Sequence, residues 1–299
     1  MIDHASVRRD VPLAGMTTYK VGGAAQWFAE PEDLEELRSI LAIAPPNTPI
    51  VVLGRGSNVV ISDRGIDGLV LRLAGAFSAI DVAESGEIVA GAATPLPMLA
   101  RAAVAAGLAG LEFYVGIPGT VGGAIRMNAG GHGSDTAAVL THAVVVDLSS
   151  GSLTRRDVTS LDLAYRSSNL TDAEVVVQGT FTTSPGDPSE LASNLRAITR
   201  WRREHQPGGT LNAGSVFKNP PGEAAGEIID RCGLKGTSIG PVCVSHIHAN
   251  FMVATPDATA DDIFTFVHEI RDRVTEMTGI VLEPEIRFIG RFEPREPVS

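Results

Sequence analysis

The chain has 299 residues, 44% of them hydrophobic and 20% charged, enough for a globular protein to bury a core without disulfide staples. Its net charge of −11 argues against nonspecific contact with nucleic-acid backbone, though not against a small anionic ligand held by local groups. Cys232 and Cys243 fit neither a disulfide framework nor a common zinc spacing, and read as reduced core residues of a cytoplasmic protein. No run approaches the ~18 apolar residues that span a bilayer. The start "MIDHASVRRDVPLAG" lacks the apolar run of a secretory signal.

In chain order, three segments suggest themselves: 1–75, 76–205 and 206–299. In the first, Leu34, Leu37 and Leu41 recur at helical spacing between Pro31 and Pro45. "PIVVLGRGSNVVIS" then reads as strand, glycine-rich turn and strand, and "GLVLRL" as a further strand. In the second, "AIDVAESGEIVAGAA" predicts a hairpin around Gly86. Thr94 and Pro95 predict the cap and first position of a helix. "HAVVVDLSSGSLTRRDV" predicts another hairpin, and "AEVVVQGTF" a strand. Asp187 caps a predicted helix with Leu191, Leu195 and Ile198 on one face, ending before Pro207. In the third, Thr259 and Asp262 fit a capping box ahead of the stripe Ile263, Val267, Ile270 and Val274. "IVLEPEIRFIG" closes the chain as a strand. Hairpins mixed with separate helices indicate an α+β fold, not a doubly wound sheet.

Two glycine-rich stretches carry the ligand signal. "LGRGSNVVISD" starts like a dinucleotide fingerprint, but Val59 replaces its third glycine and a strand follows where a helix is needed. What remains is a turn with Gly54, Gly56, Ser57 and Asn58. It reads either as a phosphate cradle or as a plain β-turn. "GIPGTVGGAIRMNAGGHG" is dense in glycine, which is costly to order unless backbone must lie against something. A flavin suits it: the ring stacks on the loop and N–H groups reach its oxygens. His246 and His248 in "SHIHAN" would face one way on a strand, but no cluster supplies further metal ligands, so no metal is expected. "RWRRE" reads as a basic, solvated helix end. Ser215 in "LNAGSVFKNPPG" follows a glycine, yet "NAGSVFK" is not a nucleophile elbow.

"TTYKVGG", "GRGSNVVISD", "GIPGTVGGAIRMNAG", "YRSS", "NAGSVFKNP", "GLKG", "HANF" and "LEPEIRFIG" stand in the order seen in the UDP-N-acetylenolpyruvoylglucosamine reductase (MurB) family. From Thr17 to about Gly290 the chain resembles that family, in its shorter, type II form. The resemblance implies a PCMH/vanillyl-alcohol-oxidase-like fold. Two FAD-binding subdomains, 1–75 and 76–205, precede a C-terminal α+β substrate-binding domain, 206–299. It implies noncovalent FAD, held by Gly54, Gly56, Ser57 and Asn58 and by Gly116, Ile117, Pro118, Gly119, Gly122, Gly123, Asn128 and Gly130. It implies NADPH-dependent reduction of the enolpyruvyl ether of a UDP-sugar, in bacterial peptidoglycan synthesis, by a cytoplasmic monomer with no nucleic-acid or membrane partner.

By the same resemblance, Arg166 grips the substrate carboxylate, Ser215 is the proton donor, and Glu285 assists as a protonated acid. Tyr165 and Asn219 contact the substrate. His205 stands where the family usually has a lysine before Gln-Pro, which leaves the diphosphate contact to His205, Arg202 or Arg203. Three rival readings stay open. One is a flavin-dependent oxidase of sugars or alcohols on the same fold, with His132 as the candidate covalent tether. The second is a nucleotide sensor without turnover. The third is a serine hydrolase using Ser215 with His205 or His248 as base.

Overall fold

The computed structural model describes residues 5–293. Contacts divide the chain into two compact units, neither of them continuous in sequence. Unit 1 takes the chain up to Arg9, then Trp27–Gly54 and Gly68–Arg202. Unit 2 takes Asp10–Gln26, Arg55–Asp67 and the chain from Arg203. Residues 1–75 are therefore shared between the two units.

Unit 1 holds the greater part of two sheets. One orders its strands Val7–Pro12, Ala24–Ala29, Ile66–Leu71 and Ile50–Val52, and its last pair is parallel. The other runs Leu153–Asp157, Leu140–Asp147, Glu174–Phe181, Ile88–Gly91 and Ile80–Val82, antiparallel throughout. Both predicted hairpins are present in it, and Gly86 makes the first turn with φ 86°.

Helix α1 (Leu34–Ile43) begins where the Asp33 carboxylate accepts the Glu36 N–H, and it buries Leu37, Ile40 and Leu41. Helix α2 (Leu96–Ala105) departs from expectation at its start. Pro95 is the residue before the first turn, and no side chain caps it. The Thr94 hydroxyl instead donates to Ala79 O, so a tertiary partner takes the group that local sequence assigns to the cap. Helices α3 (Val121–Met127) and α4 (Thr136–Val139) are short, capped by Thr120 and Asp135. Helix α5 (Pro188–His205) starts on Asp187, whose carboxylate accepts the N–H groups of Ser189 and Glu190. The core gathers Leu96, Leu99, Tyr114, Ile125 and Phe181. Burial raises the Tyr114 phenol above its ordinary range while its hydroxyl donates to Thr136.

Unit 2 holds helix α6 (Ala225–Arg231), helix α7 (Ala260–Thr278) and a three-stranded antiparallel sheet, Ser238–Ile239, Val242–Val244 and Met252–Ala254. A parallel pair joins Val59–Ile61 to Arg287–Ile289. The Thr259–Asp262 capping box forms as predicted. Its helix runs to Thr278, where Gly279 at φ 74° ends it. The stripe Ile263, Val267, Ile270 and Val274 is buried, with Phe217 and Phe266 beside it.

Two expectations fail here. The final strand covers only Arg287–Ile289, so Glu285 is not on an alternating strand. Pro284 has no N–H to offer a ladder and pairs with Phe217 as an isolated bridge. His246 and His248 lie in a loop between strands. The Ser245 hydroxyl accepts the Ile247 and His248 N–H groups and folds that segment into a turn. Among the described residues no group of three or more His, Cys, Asp or Glu is placed to hold a metal.

Candidate active site

In unit 1 the start of the first glycine-rich stretch, Gly54, meets the second. A Cβ added at Gly54 would come 2.9 Å from Thr120 Oγ1. Thr120 begins α3, its hydroxyl accepting the Gly123 N–H. Gly119 just before it has φ 146°, a conformation that side chains rarely adopt. Gly116 is walled differently: a Cβ there would come 2.9 Å from Ile198 and 3.0 Å from His132 Nε2. The His132 ring sits edge-on to Trp201, with centroids 5.1 Å apart. Partial desolvation, and secondarily the Arg202 cation, hold that largely exposed imidazole below its ordinary range.

Asn128 ends α3 in the left-handed region at φ 40° and is buried. Its carbonyl accepts the Ala137 N–H at 2.9 Å. Its amide donates to Ala164 O at 3.1 Å and to Asp135 Oδ2 at 3.2 Å. Ala164 opens the turn that carries Tyr165 and Arg166. The turn is closed by Ala164 N–H to Ser167 O and Ser167 N–H to Ala164 O, both 3.1 Å. Arg166 occupies its second central position at φ 55°, where a glycine is usual. The Arg166 guanidinium donates to Gly130 O at 3.2 Å and lies 5.0 Å from the centre of the exposed Tyr165 ring.

In unit 2, Ser215 and Glu285 lie on adjoining segments. Ser215 pairs with Phe251, and Phe217 with Pro284. Between them Val216 donates to Asn250 O at 2.8 Å and accepts the Glu285 N–H at 2.7 Å. Asn250, only 3% exposed, clamps the same segment. Its carbonyl takes the Phe217 N–H at 2.9 Å and its amide donates to Phe217 O at 2.8 Å. Asn58 reaches the other side, donating to Glu285 O at 3.1 Å and accepting the Arg287 N–H at 3.0 Å. Gly56 packs on the backbone of Met16, 2.2 Å from where its Cβ would stand. Asn219 is exposed, and its carbonyl caps the start of α6 through the Ala225 N–H at 3.0 Å. His205 is the exposed last residue of α5.

Sequence reasoning misses Asn250 and Ser168. The only signal for Asn250 is its place in "HANF". Ser168, in "YRSS", donates to Arg126 O at 2.7 Å and ties the arginine turn to the end of α3.

The chain matches two family models. Residues 25–157 match "FAD binding domain", and residues 206–289 match "UDP-N-acetylenolpyruvoylglucosamine reductase, C-terminal domain". The reductase of that name from Erythrobacter litoralis is 40% identical over 280 residues, covering 94% of this chain and 86% of the relative. That of Synechococcus sp. (strain RCC307) is 44% identical over 293 residues, covering 96% and 95%. A crystal structure of the Thermus caldophilus enzyme of the same family superposes with a TM-score of 0.82 at 36% identity, covering 95% of this chain and 99% of that one. The chain belongs to the UDP-N-acetylenolpyruvoylglucosamine reductase family. It is an α+β oxidoreductase of peptidoglycan precursor synthesis that uses FAD and NADPH. The residues present fit FAD: Gly54 and Thr120 come together, and the left-handed Gly119 leaves no side chain over the backbone. Among the described residues no helix is long and apolar enough to cross a membrane.

Proposed function

We propose that Arg166, Ser215 and Glu285 carry this family's reaction in this chain: reduction of the enolpyruvyl ether of UDP-N-acetylglucosamine to the lactyl ether. When bound, FAD supplies the hydride, taken from NADPH and delivered to the methylene carbon of the enolpyruvyl group. Arg166 grips the substrate carboxylate with a planar, permanently charged fork. Charge developing on the neighbouring carbon spreads into that carboxylate, where the guanidinium stabilises it. The Ser215 Oγ–H passes its proton to that carbon and regains one from solvent. A protonated Glu285 donates to the same developing charge.

Tyr165 and Asn219 contact the substrate. His205, with Arg202 or Arg203, meets the diphosphate in place of the family lysine. Gly54, Gly56, Ser57 and Asn58, with Gly116, Ile117, Pro118, Gly119, Gly122, Gly123, Asn128 and Gly130, hold FAD. The division 1–75, 76–205 and 206–299 assigns two FAD-binding parts and one substrate-binding part. Action in the bacterial cytoplasm, as a monomer without membrane or nucleic-acid partner, belongs to the same reading, and the net charge of −11 supports its last clause.

The observation that carries the assignment is the 2.7 Å bond from the Glu285 N–H to Val216 O, which sets the proposed donor and the proposed acid on adjoining segments. The test is an absorption spectrum of the purified holoenzyme. NADPH should bleach the flavin bands, and the UDP-linked enolpyruvyl ether should restore them. Bleaching by a free sugar or alcohol, with colour retained on the denatured chain, would instead favour the oxidase reading and a tether at His132.

A further inference from the structure

The turn Ala164–Ser167 is short, yet three hydrogen bonds tie its neighbourhood to one stretch, residues 126–130. Arg166 donates to Gly130 O, Ser168 to Arg126 O, and the Asn128 amide to Ala164 O. The orientation of the Asn128 amide follows from its partners. The Ala137 N–H must meet its oxygen, and the Ala164 carbonyl and Asp135 carboxylate must meet its nitrogen. Both donors and the acceptor are thus engaged by protein, and the side chain is buried. Such an amide acts as a joint between segments. The turn has reason to relax without it, because Arg166 is held at φ 55°, an unfavourable backbone for a residue with a Cβ.

We infer that Asn128 is a positioning residue for Arg166, fixing the arginine turn on the glycine-rich segment so that the guanidinium meets the substrate carboxylate at one distance and angle. This rests on the reading of Arg166 given above. A two-pronged grip tolerates little displacement; misplacement by about 1 Å costs on the order of 10²-fold. Asn128 itself touches neither carboxylate nor reacting carbon. Its effect passes through Ala164 O.

The test uses holoenzyme carrying Asn128→Asp. That change keeps the acceptor for Ala137 but sets a carboxylate oxygen against Ala164 O and Asp135. Asn128 also belongs to the stretch proposed to hold FAD, so FAD content is measured and both half-reactions are expressed per bound flavin. On that basis the rate of reduction by NADPH should stay within about twofold of wild type. Flavin reoxidation by the UDP-linked enolpyruvyl ether should slow ~10–100-fold, with a raised half-saturation for that substrate. Adding Asp135→Asn removes the like-charge contact and should recover thermal stability. It should not recover reoxidation, because Ala164 O still lacks its donor. Combined with Arg166→Lys, the change should add less than about threefold to the defect of Arg166→Lys alone, since both act through one guanidinium. If Asn128→Asp does not fold, Ser168→Ala reads the same turn and should slow the same step ~3–10-fold.

Wild-type reoxidation in both Asn128→Asp and Ser168→Ala, with Arg166→Lys impaired, overturns the inference. So does full rescue of the rate by Asp135→Asn, which would make Asn128 a local staple. Wild-type behaviour of Arg166→Lys would remove the role of Arg166, and the inference with it.

Discussion

The Arg166 turn and the Ser215 segment are built in opposite ways. The arginine turn is mostly exposed, holds Arg166 in a left-handed backbone, and is anchored by side chains: Asn128, Ser168 and its own guanidinium. The serine segment is held by backbone on two sides, through Phe251 and Glu285, over the buried Val216 and Phe217, and a single side chain, Asn250, clamps it from within. The difference follows the chemistry proposed for each. A long charged side chain must be aimed, so the polar groups around it do the aiming. A hydroxyl on one rotatable bond is aimed by its backbone, so a rigid ladder suffices.

The comparison breaks most severely at the hydroxyl. Ser215→Ala removes one proton donor and leaves the ladder intact. NADPH should still bleach the flavin at the wild-type rate, while reoxidation by substrate falls ~10²–10⁴-fold. Ser215→Cys should recover part of that loss. Stopped-flow absorbance separates the half-reactions, and unchanged reoxidation in Ser215→Ala would return Ser215 to the status of a turn residue.

Next in size is the side-chain clamp that backs the ladder. Asn250→Ala leaves the buried N–H and C=O of Phe217 without partners. Urea unfolding should show a loss of about 2–4 kcal/mol. A loss below ~0.5 kcal/mol would mean that the clamp is redundant.

The arginine turn should respond in the other direction. Arg166→Gly relieves roughly 1–2 kcal/mol of left-handed backbone cost at φ 55° against roughly 0.4–1 kcal/mol of added unfolded-chain entropy, so stability should rise by ~0.5 kcal/mol although substrate reduction fails. Destabilisation in the same unfolding assay would show that the bond to Gly130 O outweighs the strain.

The smallest effect concerns pH. Partial desolvation, then Arg202, lowers the His132 pKa, so the folded state favours the neutral ring. The associated stability is fully present above the ordinary imidazole value of about 6.5 and is lost as pH falls from there toward the lowered folded value. His132→Gln should flatten that acid-side slope in thermal unfolding measured across the window. An unchanged slope would assign it to another group.

Much of this was legible in the chain. The Asp187 cap, the Thr259–Asp262 box, the two hairpins and the buried stripe on α7 all depend on groups a few residues apart, so local pattern predicts them. The site segments were legible only because they stand together in a familiar order. Taken singly, "YRSS" and "NAGSVFKNP" are weak. Misreadings fell where a distant partner overrides local preference. Thr94 bonds to Ala79 O instead of capping α2, and Pro284 breaks the strand expected to carry Glu285.

By itself, the sequence determined the element types, the α+β class, the two glycine-rich stretches and the identity of Arg166, Ser215 and Glu285 as candidates, because these follow from residue type, short-range spacing and motif order. Tertiary structure alone decided that Gly54 meets Thr120, that Glu285 lies against Val216, and that Asn128 serves as a joint beneath the arginine turn. Each of these joins residues 36 or more positions apart in sequence, or depends on where such contacts place the backbone. A hydrogen bond across that distance leaves no periodicity to read.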